Sequence, residues 1–188
     1  MEMIRSFVAF DIEEAAVLSN LSRVQDSLLR TGADLKFVKP ENVHMTLRFL
    51  GDITSEMVDL IHREMEQVQF SSFEVVIKGT GVFPNLRHIS VIWAGICQGA
   101  NEMRAVFDQL EPRLQTLGFK PDYKGFSPHL TIARVRTGKT RDALAEQLKS
   151  LEGFEFGSVK AECLRLKKSI LTPQGPIYSV LRETCHKT

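Results

Sequence analysis

Charge of one sign is what this chain lacks most plainly: 24 Lys and Arg stand against 23 Asp and Glu, a formal net charge of +1 over 188 residues. A protein that coats nucleic acid neutralises many phosphates with a basic surface. So even a balance excludes that mode and leaves room for a local cluster that grips one or two phosphates. Long apolar runs are missing too. The most apolar stretch, Ile89 to Cys97, is far shorter than a membrane-spanning helix needs. At the N-terminus, Met1-Glu2-Met3-Ile4-Arg5 carries charge on both sides of a short apolar stretch and reads as the start of a strand rather than a secretory leader. Cysteine is scarce. Cys97, Cys163 and Cys185 are scattered without a CxxC pair and are expected to be reduced thiols of a cytoplasmic protein, two in strands and one near a frayed tail.

What is present is a soluble composition, 43% hydrophobic and 25% charged, and a unit written twice. Ile4 to Ile12 reads as a strand, and Glu14 to Arg30 as a helix with Val17, Leu21, Val24 and Leu28 at helical spacing. After Gly32 and the Pro40-Glu41-Asn42 turn, Val43 to Leu50 is a second strand. Thr54 or Ser55 caps a helix running to about Val68, and Phe73 to Lys78 leads as a strand into a Gly79-Thr80-Gly81 turn. The second half repeats the order: strand Ile89 to Ile96, helix Asn101 to Leu117 with Met103, Val106, Leu110 and Leu114 on one face, strand Phe126 to Val135, helix Thr140 to Leu151, strand Val159 to Leu166. A constant shift of 85 residues, the interval from His44 to His129, lays Ile92-Trp93-Ala94 on Phe7-Val8-Ala9 and Thr131 on Thr46. The pattern predicts one domain over 1–188 with pseudo-repeats at about 1–82 and 88–170 and a final strand at about 177–181. The fold class is α+β, in two similar lobes.

Each half carries one His-x-Thr: His44-Met45-Thr46-Leu47 and His129-Leu130-Thr131-Ile132. In a strand, i and i+2 share a face, so each His and its Thr look one way while Met45, Leu47, Leu130 and Ile132 look the other, into a core. A lone His in a strand is most often a satisfied structural residue. Two at equivalent places of a repeat point to one chemistry kept twice.

The chemistry that wants two such units is in-line displacement at phosphorus, where attacking water and leaving oxygen lie on opposite sides. One side needs a base and the other an acid. Imidazole serves both because its ordinary pKa is about 6.5. Thr46 and Thr131 offer neutral hydroxyl donors to the non-bridging oxygens, and Arg134, just past Thr131, is a natural clamp for an anionic phosphate. Metal catalysis fits less well. There is no HExxH, no HxH and no Asp/Glu cluster beside either motif, and Thr is a poor zinc ligand, so neither a metal nor another cofactor is expected.

At these residues the sequence resembles the 2H phosphoesterases, in the branch of RNA 2′,3′-cyclic phosphodiesterases, also called 2′-5′ RNA ligases. The likeness spans essentially the whole chain. Phe37-Val38 to Pro40-Glu41-Asn42 and Leu47-Arg48-Phe49-Leu50-Gly51 are similar to the surroundings of the family's first motif, and Phe126-Ser127-Pro128 to Ala133-Arg134 to its second. Phe83-Pro84-Asn85, Val91 to Gly95, Leu166 to Ser169, Thr172-Pro173, Gly175 and Tyr178 resemble further family signatures. The resemblance implies a bilobal α+β fold, an antiparallel sheet in each lobe and an active-site cleft between them. It also implies metal-free hydrolysis of RNA-terminal 2′,3′-cyclic phosphates to 2′-phosphates. In that scheme His44 is the proton donor to the departing 3′-oxygen, His129 the base that activates water, and Thr46, Thr131 and Arg134 the phosphate holders. The residues alone do not say which His is acid and which is base. By microscopic reversibility the same site could join ends through a 2′-5′ linkage. Where relatives commonly carry Pro-Arg, this chain has Ile89-Ser90, so an RNA-holding Arg there would have to be replaced by Arg87 or His88.

The implied partner is RNA or an oligonucleotide with a 2′,3′-cyclic phosphate end, with no membrane, and the protein is expected to be a monomer. Small cyclic nucleotides are a variant within the class, and a non-catalytic RNA-end or nucleotide-binding module is the competing reading. Of the other polar residues, His62 reads as surface, His88 as a turn residue and His186 as part of a polar tail. Lys120, Lys124, Arg136 and Lys139 flank the second motif as a candidate RNA track. Phe7 is expected in the core, with Phe126 open between core and base stacking.

Overall fold

The computed structural model describes residues 3–123 and 125–186. The elements follow the periodicity of the sequence: β1 (Ile4–Asp11), α1 (Ala15–Leu29), β2 (Leu35–Phe37), β3 (His44–Ile53), α2 (Ser55–Glu66), β4 (Phe73–Asn85), β5 (His88–Gln98), α3 (Ala100–Thr116), β6 (His129–Val135), α4 (Arg141–Ser150), β7 (Glu155–Ala161), β8 (Cys163–Thr172) and β9 (Gly175–Cys185). The helices bury the faces their spacing predicts, Val17, Leu21, Val24 and Leu28 on α1 and Met103, Val106, Leu110 and Leu114 on α3. Each such side chain contributes ~1.5–3 kcal/mol on full burial. Among the described residues, no helix is long and apolar enough to cross a membrane.

The strands form two antiparallel sheets, one ordered β3-β1-β8-β9 and the other β2-β6-β5-β4-β7. This is the bilobal α+β architecture that the sequence and its resemblance imply. The two sheets, however, are not the two sequence halves. β8, from the second half, pairs with β1, and β4, from the first half, pairs with β5. The registers match residue for residue: Ser6 faces Lys168 and Ala9 faces Arg165, while 85 positions away Val91 faces Phe83 and Ala94 faces Thr80. The β4–β7 ladder maps onto itself, Phe73 facing Ala161 and Val76 facing Ser158. The helices cross over as well, α1 packing on β7 and α2 on β9. The repeat is therefore interlaced, each half lending a strand to the other's sheet.

Four local expectations change. Gly79-Thr80-Gly81 is not a turn: β4 runs through it with a register shift between Ile77 and Thr80. The glycines serve close approach instead. Gly79 sits at φ +73°, and a Cβ on Gly81 would lie 2.2 Å from the Trp93 ring. The strand expected over Val159 to Leu166 is two strands, split at Glu162 where the chain passes from one sheet to the other. The final strand is longer than 177–181 because its whole length pairs with β8.

The expectation of three reduced thiols is also corrected. Cys163 and Cys185 are cross-strand partners in the β8–β9 hairpin and are joined in a disulfide, while Cys97 is free and exposed. Looking for close CxxC spacing misses a pair that an antiparallel register brings together.

Candidate active site

His44 and His129 open β3 and β6, and the alternation that strand geometry demands runs through both motifs. Met45, Leu47, Leu130 and Ile132 are buried, while His44, Thr46, His129 and Thr131 are partly open on the other face. All four line one cavity of about 470 Å³, together with Arg134. Past Thr131 the strict alternation shifts: Ile132 and Ala133 are both buried, which turns Arg134 to the cavity side.

The two imidazoles are held alike. Nδ1 of His44 donates to the Asn42 carbonyl at 2.7 Å and Nδ1 of His129 to the Ser127 carbonyl at 2.8 Å. A carbonyl can only accept, so Nδ1 carries the hydrogen in the neutral ring, and Nε2 of each neutral ring is left with its lone pair. Each imidazole also stands edge-on to an aromatic ring: Tyr178 is 5.2 Å from His44 at 85°, and Phe83 is 5.1 Å from His129 at 83°. Phe7 packs on His44 from beneath the site at 4.8 Å.

Side chains from outside the motifs fix the walls. Asn42, buried in the short 3₁₀ turn Pro40–Asn42, donates from Nδ2 to the Pro176 carbonyl at 2.8 Å, tying the start of β9 to the peptide that orients His44. From α1, Gln25 Nε2 donates to the carbonyls of Val38 and Ile132, clamping the segment after β2 against β6. Lys36, Lys39, Arg134 and Arg136 line the cavity, and among the described residues no Asp or Glu does. In a chain of net charge +1 this is a local concentration of positive charge, the field an anionic ligand seeks.

A family model described as LigT like Phosphoesterase matches this chain twice, over residues 12–93 and 97–178. The chain belongs to the LigT-like phosphoesterase family. An RNA 2′,3′-cyclic phosphodiesterase of Aeropyrum pernix is 38% identical over 167 residues, covering 89% of this chain and 95% of that one. One of Methanothermobacter thermautotrophicus is 38% identical over 178 residues, covering 94% and 95%. Among solved structures, a Thermus thermophilus protein superposes with a TM-score of 0.78 at 27% identity over 97% of this chain and 98% of its own. Escherichia coli LigT in complex with 3′-AMP gives 0.78 at 21% identity over 98% of each chain.

The charge state of this LigT-like phosphoesterase's first motif histidine is set by its surroundings. Burial lowers the pKa of His44 from 6.5 to about 4, outweighing the Asn42 carbonyl that favours its protonated form. Lys167 lowers it further, while Asp11, the cross-strand partner of His44, pulls the other way. Lys167 is itself buried and paired to Asp11 at 2.5 Å, with its ammonium 5.9 Å over the Tyr178 ring. Burial raises the Tyr178 phenol above its ordinary value, so it stays protonated at neutral pH.

Other candidates fall elsewhere. Phe7 is in the core, as expected, and Phe126 is buried too, stacked on Phe107 at 5.0 Å with Arg104 over its ring, so it is no platform for a base. The Lys120 carbonyl accepts from Arg48 Nη2, and Lys120 does not line the cavity. Lys124 lies outside the described residues. His62 is more than a solvated residue, since Nε2 bonds the Glu183 carbonyl of β9 at 3.1 Å, and His186 packs on Phe70 at 4.4 Å. Among the described residues, the one close trio of metal-ligand residue types is Cys163, Glu183 and Cys185; its two cysteines are spent in the disulfide, and none of the three lines the cavity. Sequence reasoning left out Lys36, Lys39, Asn42 and Tyr178 as site residues. Asn42 and Tyr178 stood within the family-like stretches, but only their contacts across the chain reveal what they do.

Proposed function

We propose that this LigT-like phosphoesterase hydrolyses RNA-terminal 2′,3′-cyclic phosphodiesters to 2′-phosphomonoesters. The observation that carries this reading is the pair of His-Thr strands lining one cavity rich in Lys and Arg, each imidazole bonded through Nδ1 to the carbonyl two residues back. Naming of the Aeropyrum and Methanothermobacter relatives as RNA 2′,3′-cyclic phosphodiesterases supports it.

In the proposed reaction, His129 Nε2 removes a proton from water as the oxygen attacks phosphorus. The bond from phosphorus to the 3′-oxygen breaks in line, and His44 delivers a proton to that oxygen, leaving the phosphate on the 2′-oxygen. Thr46 and Thr131 donate hydroxyl hydrogen bonds to the non-bridging oxygens, and Arg134 matches their charge with its planar fork of donors. His44 is neutral in the free protein near pH 7, its pKa held near 4. The bound phosphodiester anion raises that pKa and so recruits His44 as the acid. Run backwards, the same steps join a cyclic phosphate to a 5′-hydroxyl through a 2′-5′ linkage. All five side chains come from one chain, so a monomer suffices.

The test is incubation of the purified protein, in EDTA, with an oligoribonucleotide ending in a 2′,3′-cyclic phosphate. Conversion to a phosphatase-sensitive 2′-phosphate, gaining the mass of one water, is the expected result. A 3′-phosphate product would overturn the assignment of the leaving oxygen, and turnover that requires an added divalent ion would overturn the metal-free mechanism. No turnover, with binding that survives loss of both histidines, would mean a binding module.

A further inference from the structure

A second groove, of about 380 Å³, lies beside the catalytic cavity, and Arg136 lines both. One wall is the turn between β4 and β5, carrying Arg87 and His88. The other is the connection from β6 into α4, with Arg136, Lys139 and Arg141. Among the described residues, no carboxylate lines it. The cavity lined by Asp11, Glu13, Glu14 and Glu162 differs in that it mixes signs, Lys160 and Arg165 standing among its carboxylates.

The walls are held. Asn85 Oδ1 accepts from the backbone N–H groups of Arg87 and His88 at 2.9 and 3.1 Å, fixing the turn. Arg141 Nη1 donates to the Arg87 carbonyl at 3.2 Å, joining one wall to the other. The cations are not consumed by ion pairs. Arg136 reaches Asp34 only at 3.8 Å, and Arg141 reaches Asp142 at 3.5 Å where that carboxylate is 95% exposed. Exposed pairs of this kind are worth little. Among the described residues, Arg87 and Lys139 have no ion-pair partner.

We infer that this groove holds the phosphates on the 5′ side of the reacting end, making the preferred substrate a single-stranded oligoribonucleotide rather than a free cyclic mononucleotide. The inference rests on the proposed hydrolysis for its orientation. A cyclic phosphate closes the 3′ end, so the strand can leave the cavity only through its 5′-oxygen, and the adjoining basic groove is where the next phosphates fall. Its cations match phosphates, and among the described residues no Phe, Tyr or Trp lines it to stack a base, so the grip is on the backbone and is indifferent to base sequence.

The experiment compares the wild type with Arg87→Ala/Lys139→Ala on two substrates, 2′,3′-cyclic AMP and a pentaribonucleotide with a 2′,3′-cyclic phosphate end. Turnover of cyclic AMP is expected to stay unchanged, since neither residue lines the catalytic cavity. For the pentanucleotide, kcat/KM should fall about tenfold at low salt, and its salt dependence should lose about 0.7 in log–log slope per cation removed. Arg87→Lys/Lys139→Arg should restore both. In parallel, fluorescence anisotropy of a 5′-labelled pentanucleotide with a 2′-phosphate end should show the same loss of affinity, with or without turnover. Equal losses on both substrates, or unaltered pentanucleotide binding in the Ala variant, would overturn the groove. Absence of turnover on either substrate by wild type, with the anisotropy difference intact, would instead overturn the hydrolysis.

Discussion

Tyr178 meets His44 edge to face, ring centroids 5.2 Å apart and planes at 85°. The contact crosses from the last strand of the chain to the first motif. It steadies the imidazole without engaging either ring nitrogen, so the ring's orientation and its proton chemistry are set by different neighbours. Phe83 does the same for His129 from β4.

Tyr178→Phe should therefore change kcat/KM little, whereas Tyr178→Ala should lower it up to about tenfold, the worth of one aromatic pair of ~0.5–1.5 kcal/mol. Steady-state kinetics on a cyclic-phosphate oligonucleotide decides this. A larger loss in the Phe variant than in the Ala variant would give the phenol a direct role.

Replacing His44 or His129 with Gln should each reduce kcat by about 10²–10⁴, with the double variant far less impaired than the product of the two. Circular dichroism would verify the fold. A single variant retaining wild-type kcat would remove that histidine from the mechanism.

The threonines contribute less. Thr46→Val and Thr131→Val each remove one neutral donor to a charged oxygen, worth ~1.5–3 kcal/mol, or roughly 10- to 150-fold in kcat/KM. Arg134→Lys keeps the charge but loses the planar fork, so it should fall between wild type and Arg134→Ala. Equal activity of the Lys and Ala variants would deny Arg134 a charge-based role.

The pKa of His44 predicts two pH dependences. Because it is held near 4 until the phosphodiester arrives, the alkaline limb of kcat should lie at higher pH than that of kcat/KM, which reports the free protein. Coincident limbs would contradict the recruitment. For stability the sign follows from proton uptake. Between 6.5 and about 4 the unfolded chain binds a proton at this residue that the folded one refuses, so stability contributed by neutral His44 is lost as pH falls through that window. Urea titrations at pH 7, 5 and 4 should show a smaller acid loss in His44→Gln than in wild type.

Arg48, on β3 two residues past Thr46, pairs with Glu111 of α3 at 2.7 Å, both side chains 11% exposed. Burial would raise the Glu111 carboxyl, but the Arg48 guanidinium and the Asp122 N–H hold it below the usual carboxylate range. Arg48→Met or Glu111→Leu alone should cost about 3–5 kcal/mol by stranding the other charge, and the double replacement should recover most of it. Denaturant unfolding of the four proteins measures the coupling, and additive losses would refute it.

Much of this was legible in the residues because strand and helix periods are local. His44 and Thr46 share a face by the geometry of three residues, and Val17 through Leu28 announce α1 in the same way. What stayed hidden depends on contacts made across the chain. Gly79 and Gly81 read as a turn because glycine is the local punctuator of turns, yet the Trp93 ring that Gly81 makes room for lies on another strand. Cys163 and Cys185 look unrelated until the hairpin register sets them opposite. Lys36 and Lys39 are ordinary loop-edge charges in sequence and become part of the site only when β2 pairs with β6.

The exchange of strands between the two halves also dictates when the site can exist. A ribosome delivers β1 long before its partner β8, since Ser6 waits for Lys168 and Ala9 for Arg165. Until then β1 has β3 on one edge and nothing on the other, and neither half can seal its own sheet. A nascent chain stopped at the repeat boundary would thus carry one complete His-Thr strand and no closed cavity. The protein acquires its chemistry only once β8 and β9 have been made.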